Sequence, residues 1–315
     1  MSILTGSGYK TPIVAASLKR GDGMWTDSFG PSKVLGMAPN TAALDVRIFG
    51  ESAHKGHAAM RDLVVGLYDW HLWTSLGWLD VKQRYRRAVL GPFWITISMC
   101  VFVFALGIVY AGIFRQDTTQ FLPYLAAGFI VWNLIAATVN ESTLAFVQAE
   151  GLIKQGGIPL SLHMFRVVFR NLVVGAHNFT VMLLLYIWQP GLLSWNLLLA
   201  VPALVLVFVN LTWISMLVGV LCTRYRDLPP IIANLMQIIF FLSPIMYKPS
   251  ALPARLSFIA DANPVFYFVD AVRGPLLGEA PPVRVYALLV VFAFIGWIAT
   301  FRLFQVARSR VPYWV

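Results

Sequence analysis

Apolar positions in this chain gather into long blocks, and the polar ones sit between the blocks. From residue 92 onward, nearly unbroken apolar runs cover 92–114 and about 121–140, 167–188, 197–222, 229–247 and 285–304. Each approaches the roughly 20 residues that a helix needs to cross a hydrocarbon core of about 30 Å. The first run, at 1.5 Å per residue, makes about 35 Å of helix. The pattern predicts six spans, with helix after the second allowed to continue to Gln148 and a turn at Gln189-Pro190-Gly191 after the third. Pro229 and Pro230 open the fifth run, where a missing N–H breaks no helical bond, and Pro244 near its other end predicts a bend. The stretch 249–283 holds six prolines, too many for a span. Its apolar piece 264–272 predicts short re-entrant or periplasmic helices between spans five and six.

Ahead of the first run the period changes. Leu67, Trp70, Trp78, Val81, Tyr85 and Ala88 fall on one helical stripe, Leu72, Leu76, Leu79 and Leu90 on nearly the opposite side, and Lys82, Arg84, Arg86 and Arg87 crowd the last turns. Two apolar lines, several Trp and a basic end predict an amphipathic helix over 61–91 lying along the membrane interface. The alternative is a frayed start of span one. Residues 1–60 are rich in Gly, Ser, Ala and Pro without a sustained period, which predicts a largely irregular tail with a short ordered segment around 42–49. The expected organisation is this tail, the interface helix, a six-helix domain over 92–306 and a tail at 307–315. The fold class is all-α integral membrane. The opening MSILTGSGYKTP lacks the charged and apolar regions of a signal peptide, so span one is expected to direct insertion.

Composition agrees: 58% of the 315 residues are hydrophobic and 12% charged, against roughly 25% charged in soluble domains. No Asp, Glu, Lys or Arg occurs between Arg170 and Arg224. The net charge of +10 flanks the apolar runs and forms no continuous patch, so it points to topology and anionic lipid, and not to nucleic acid. Six spans put both termini on one side. Twelve basic residues lie on that side outside the N-terminal tail and five on the other (Arg115, Lys248, Arg255, Arg273, Arg284), which predicts cytoplasmic termini in a multi-pass membrane protein.

Several chemistries lack their residues. The fourteen acidic residues are dispersed, without a paired carboxylate motif, and Asp80 and Asp227 stand beside arginines. The five histidines show no ligand spacing: His54 and His57 belong to the tail, His71 and His163 are expected at the surface, and His177 is expected to bond another helix. Cys100 and Cys222, in apolar runs, suggest neither disulfides nor a metal site. Spans one, four, five and six carry no ionisable residue near the midplane, and Glu141 lies near the inner end of span two, so proton or sodium coupling has no carrier. A GxxxxGK[ST] phosphate loop is absent, so energy for active transport has to come from another polypeptide.

Three segments, DVKQRYRRAVLGPFW (80–94), RYRDLPPIIANLMQIIFFLSPIMY (224–247) and ANPVFYFVDAVRGPLL (262–277), in this order relative to the spans, give residues 65–310 a likeness to a known family. The chain resembles the permease subunits of ABC-2-type polysaccharide exporters, and within them the O-antigen permeases, through LIKQGGIPLSLHMFRVVFRN (152–171) and Gly175-Ala176-His177-Asn178. Many relatives carry a Pro-Arg pair after span two, whereas Pro159 is followed here by Leu160. The resemblance implies a non-enzymatic homodimer that exports an undecaprenyl-diphosphate-linked glycan through a path between protomers. It also implies a place in the bacterial inner membrane, two ATP-binding cassette subunits that bind ATP and Mg2+, and no cofactor in this chain. It implies further that Arg84, Arg86 and Arg87 meet the lipid diphosphate, where paired arginine hydrogen bonds suit phosphate oxygens; anchoring to anionic lipid is the alternative. Tyr110, Phe114, Phe240, Phe241 and Tyr247 are the implied channel lining, or else lipid-facing and interfacial aromatics. The loop 149–162, with Glu150, Lys154 and Gln155, is the implied contact with the ATPase, or else an ordinary solvated loop. Rival functions are an ABC-2 permease for capsule, teichoic acid, lipid or drug, and a membrane-bound glycosyl or acyl transferase.

Overall fold

The computed structural model describes residues 41–86, 93–249, 253, 255, 258 and 261–315, with the backbone alone at 41–54 and 114. The chain divides into a unit ending at Arg47 and a larger unit from Ile48 to Val315. Among the described residues every regular element is helical.

The elements are α1 (Thr41–Tyr68), α2 (Trp70–Tyr85), α3 (Phe93–Phe114), α4 (Thr118–Ser142), α5 (Ala145–Gln148), α6 (Glu150–Gln155), α7 (Leu160–Asn178), α8 (Thr180–Trp188), α9 (Ala200–Arg224), α10 (Leu228–Leu242), α11 (Pro264–Leu276), α12 (Val283–Ala307) and α13 (Val311–Trp314). Helix α1 thus takes in residues read as largely irregular, and the stretch expected to form one interface helix is two helices meeting at Asp69. Among the described residues, five segments are long and apolar enough to span a membrane: Phe93–Ile113, Thr118–Ser142, Leu160–Trp188, Trp195–Arg224 and Val283–Ala307. The fifth run yields only the 15-residue α10, about 22 Å long. It starts on Pro229 and Pro230 and stops at Leu242, two residues before Pro244.

Helix α4 occupies the centre, touching α3, α7, α9, α10 and α11. From Phe121 to Ile135 nearly every residue is buried. Asp117 caps it, accepting from Thr119 N at 3.0 Å and from the Thr119 hydroxyl at 2.6 Å; these bonds hold its carboxyl below the usual range. Pro123 has no N–H to offer the Thr119 carbonyl one turn back, and Gln189 Nε2 fills that place at 2.9 Å. Polar residues inside the spans close bonds on their own helix: Thr138, Asn140, Ser142, Thr212 and Thr223 each donate to the carbonyl four residues earlier. That satisfies groups for which the bilayer has no partner. Helices α9 and α12 form the closest pair. A Cβ on Gly296 would fall inside the Trp213 ring, so only glycine allows this approach.

A second, smaller core joins Phe146 and Ile153 of α5 and α6 with Ala59 of α1, Met164 of α7, Val220 of α9, Phe304 of α12 and Val311 of α13. The short helices after α4 are therefore anchored to α1 and to the last two helices.

Candidate functional site

The end of the bundle where α4 stops and α7 begins carries most of the basic residues, and Arg84, Lys154, Arg166, Arg170 and Arg308 are paired with carboxylates there. Asp80 of α2 accepts from Arg166 Nε at 2.7 Å and Nη2 at 2.5 Å, and from Arg170 Nη1 at 3.0 Å. Glu141, at the end of α4, accepts from Arg170 Nη2 at 2.7 Å, Asn171 Nδ2 at 2.7 Å and Arg84 Nη2 at 2.6 Å. Three helices are thereby tied by two carboxylates and three guanidiniums. The Asp80 and Arg170 side chains are only 11% and 10% exposed, a setting in which an unpaired charge is expensive and a paired one fixes geometry. Asp80 is thus neutralised from α7 and not by its sequence neighbours.

Of the arginines expected at a lipid diphosphate, Arg84 already bonds Glu141. Burial opposes its charge, yet the Glu141 carboxylate prevails and raises its pKa. Arg86 is exposed one turn after exposed Lys82, and the two border a surface groove with Leu79 and Gln83. Arg87 lies outside the described residues.

The loop implied to meet an ATPase contains a helix. In α6, Ile153 points into the smaller core, while Glu150, Lys154 and Gln155 are exposed. Lys154 Nζ donates to Glu150 at 2.5 Å, which holds that carboxyl below its ordinary range. Gly156 and Gly157 follow with φ of 74° and 85°, backbone open to glycine at little cost, and turn the chain into α7. The start of α7 is clasped by Asp62 of α1, which accepts from Ser161 N at 3.0 Å, Leu160 N at 3.3 Å and Arg308 Nε at 2.8 Å. Asp62 and Arg308 gave no sequence signal, since their partners lie about a hundred or more positions away.

The aromatic candidates separate. Phe240 packs on Phe129, Trp132 and Phe241, with centroids 5.4, 5.5 and 5.3 Å apart, and Phe129 meets Phe102 at 4.7 Å. Phe102, Phe129 and Trp132 were not singled out by the sequence. Phe241 is 63% exposed. The Tyr247 hydroxyl donates to the Leu242 carbonyl at 2.9 Å. Tyr110 packs partly buried against the main core, and the Phe114 side chain lies outside the described ones.

Two histidine expectations need correcting. His163 is 1% exposed, facing the core side of α7, and neither ring nitrogen has a partner among the described residues. His177 bonds the Val173 carbonyl of its own helix at 2.8 Å; the contact to another helix runs through its backbone oxygen, which accepts from Thr96 of α3 at 3.1 Å.

Comparison with known proteins fits this arrangement. The family model described as ABC-2 type transporter matches residues 71–277, from α2 through α11. The O-antigen export system permease protein RfbA of Klebsiella pneumoniae is 22% identical over 239 residues, covering 73% of this chain and 90% of that protein. The protein of the same name from Myxococcus xanthus is 24% identical over 246 residues, covering 76% and 94%. With its several apolar helices, the chain is a multi-pass membrane protein that belongs to the ABC-2 type transporter family.

Proposed function

We propose that this chain is the permease subunit of an ATP-driven exporter carrying a lipid-linked polysaccharide, O antigen, across the bacterial inner membrane to the periplasm. The observation that carries this reading is the likeness along 90% and 94% of two O-antigen export permeases. The chain works as a homodimer with two ATP-binding cassette subunits, which bind the ATP and Mg2+; an undecaprenyl-diphosphate-linked glycan is the cargo.

A sixth crossing is made by α10 together with its exit turn. Helix α10 begins beside the end of α9, and the turn reaches the start of α4, where the Tyr124 hydroxyl lies 3.2 Å from the Tyr247 carbonyl. Six crossings bring both termini to the basic, cytoplasmic side. Helix α2 lies in the interface there, supported by exposed Trp70, Trp78 and Leu79 beside exposed Lys82 and Arg86. Arg86 with Lys82 receives the diphosphate, and Arg84 holds α2 in place through Glu141. Helix α6 presents Glu150, Lys154 and Gln155 to the ATPase, and its movement reaches α7 through the glycine turn. The apolar faces of α3 and α10 are shared with lipid and the second copy, so Phe240 and Phe241 border the path between protomers.

The test is co-purification of the chain with its co-expressed ATP-binding subunit, followed by ATP turnover in lipid. Lipid-linked O antigen should raise turnover, and Lys82→Ala with Arg86→Ala should weaken that response. A complex indifferent to the glycan but stimulated by a drug or a phospholipid would move the chain to another branch of the family.

A further inference from the structure

At the end of the bundle away from the basic cluster, four separate segments line a partly open cavity of about 560 Å3, within the usual size of small-molecule sites. Its working groups are Gln120 of α4, Gln189 after α8, Lys248 after α10, Asp270 and Arg273 of α11, and Glu279 beyond α11.

The walls are tied together independently of any ligand. Gln189 bonds the carbonyl that Pro123 leaves free. Arg273, 2% exposed, donates to the Pro244 carbonyl at 2.8 Å and to Asp270 at 3.2 Å, and its guanidinium lies 4.0 Å from the Tyr124 ring centroid. The Tyr124 hydroxyl meets the carbonyls of Pro244 and Tyr247 at 3.3 and 3.2 Å. Asn196 holds the Gly278 carbonyl at 2.7 Å, where φ is +82°. Such cross-linking shapes the cavity in advance, which lowers the ordering cost of binding.

The lining also selects a chemistry. Two carboxylates stand against one ammonium and one guanidinium, so the cavity carries no net charge. The guanidinium is spent on Pro244, Asp270 and Tyr124. An anion would meet Asp270 and Glu279 with only Lys248 in its favour, and a cation would meet Lys248 and Arg273. What remains is a dense set of carboxylate and amide acceptors with ammonium and amide donors, which suits a neutral molecule rich in hydroxyls. We infer that this cavity binds a neutral saccharide unit, and as a role in export the inference rests on the polysaccharide reading above. The glycan then meets a saccharide site at the outer end of the permease, after the path between protomers.

The test uses the full chain in complex with its ATP-binding subunits in lipid nanodiscs. Saturation-transfer NMR is recorded with methyl α-D-mannoside and maltotriose, and inorganic phosphate serves as the charged comparison. Both saccharides should receive saturation and phosphate should not bind. Glu279→Ala with Gln120→Ala should lower saccharide affinity about ten-fold, as expected for losing hydrogen bonds to a charged group. Lys248→Met provides a second variant with the same expected direction should the first fail to assemble. Stimulation of ATP turnover by lipid-linked glycan is measured on the same samples. If stimulation is present but the saccharides give no transfer, transfer unchanged by the assembled variants, or way to phosphate, the cavity is not a saccharide site and the export reading stands. If stimulation and transfer are both absent, the two fall together.

Discussion

Helices α3 and α4 are consecutive in sequence and packed on each other, yet they have opposite surroundings. The most apolar part of α3 has a mean hydropathy of 2.2 and is 22% buried; that of α4 has 1.7 and is 83% buried. The greasier helix is the outer one. In water the order would be reversed, because burial would follow apolarity. In a bilayer, lipid tails are as apolar as leucine, so packing and polar pairing decide which helix is inside. Helix α4 is central because it packs on α3, α7, α9, α10 and α11 and its Glu141 finds partners on α2 and α7, while α3 turns Ile97, Val101 and Ile108 outward.

The severest way to break that contrast is Arg170→Ala, which strips one partner from both Asp80 and Glu141. Removing one member of a buried ion pair costs about 3–5 kcal/mol, so thermal unfolding in detergent should show a large loss, with α2 freed for proteolysis. Next is Leu125→Ala on α4, fully buried, with an expected cost of about 2–5 kcal/mol. Phe240→Ala should affect stability less, since that ring is only partly buried, but should raise ion leak through the complex in planar bilayers. The smallest effect is expected at Ile108→Ala on α3, 64% exposed, within about 0.5 kcal/mol on the monomer. If cross-linking of copies weakens in that variant while monomer unfolding does not, the outward face of α3 meets a second copy.

Where a run is apolar from end to end, the sequence reads almost to the residue: 92–114 against Phe93–Phe114 and 285–304 against Val283–Ala307. The third span was read seven residues short because Ser161, His163 and Arg166 look like loop. Two of these polar residues are satisfied by Asp62 and Asp80, contributed by two other helices. Long-range pairing of that kind leaves no local period. Residues of α6 were legible as a connecting loop with outward charges, whereas the helix itself depends on Ile153 finding the smaller core. The aromatic line was legible only at Phe240 and Phe241, because Phe102, Phe129 and Trp132 join it through packing between helices.

The central claim is that cargo moves through this chain on energy supplied by a separate ATPase. Inverted vesicles containing the permease with or without its ATP-binding subunits, loaded outside with lipid-linked glycan, measure it directly. Glycan should enter the lumen only with both subunits and ATP, at a rate that ionophores leave unchanged. Entry into vesicles holding the permease alone, driven by a proton or sodium gradient, would contradict it.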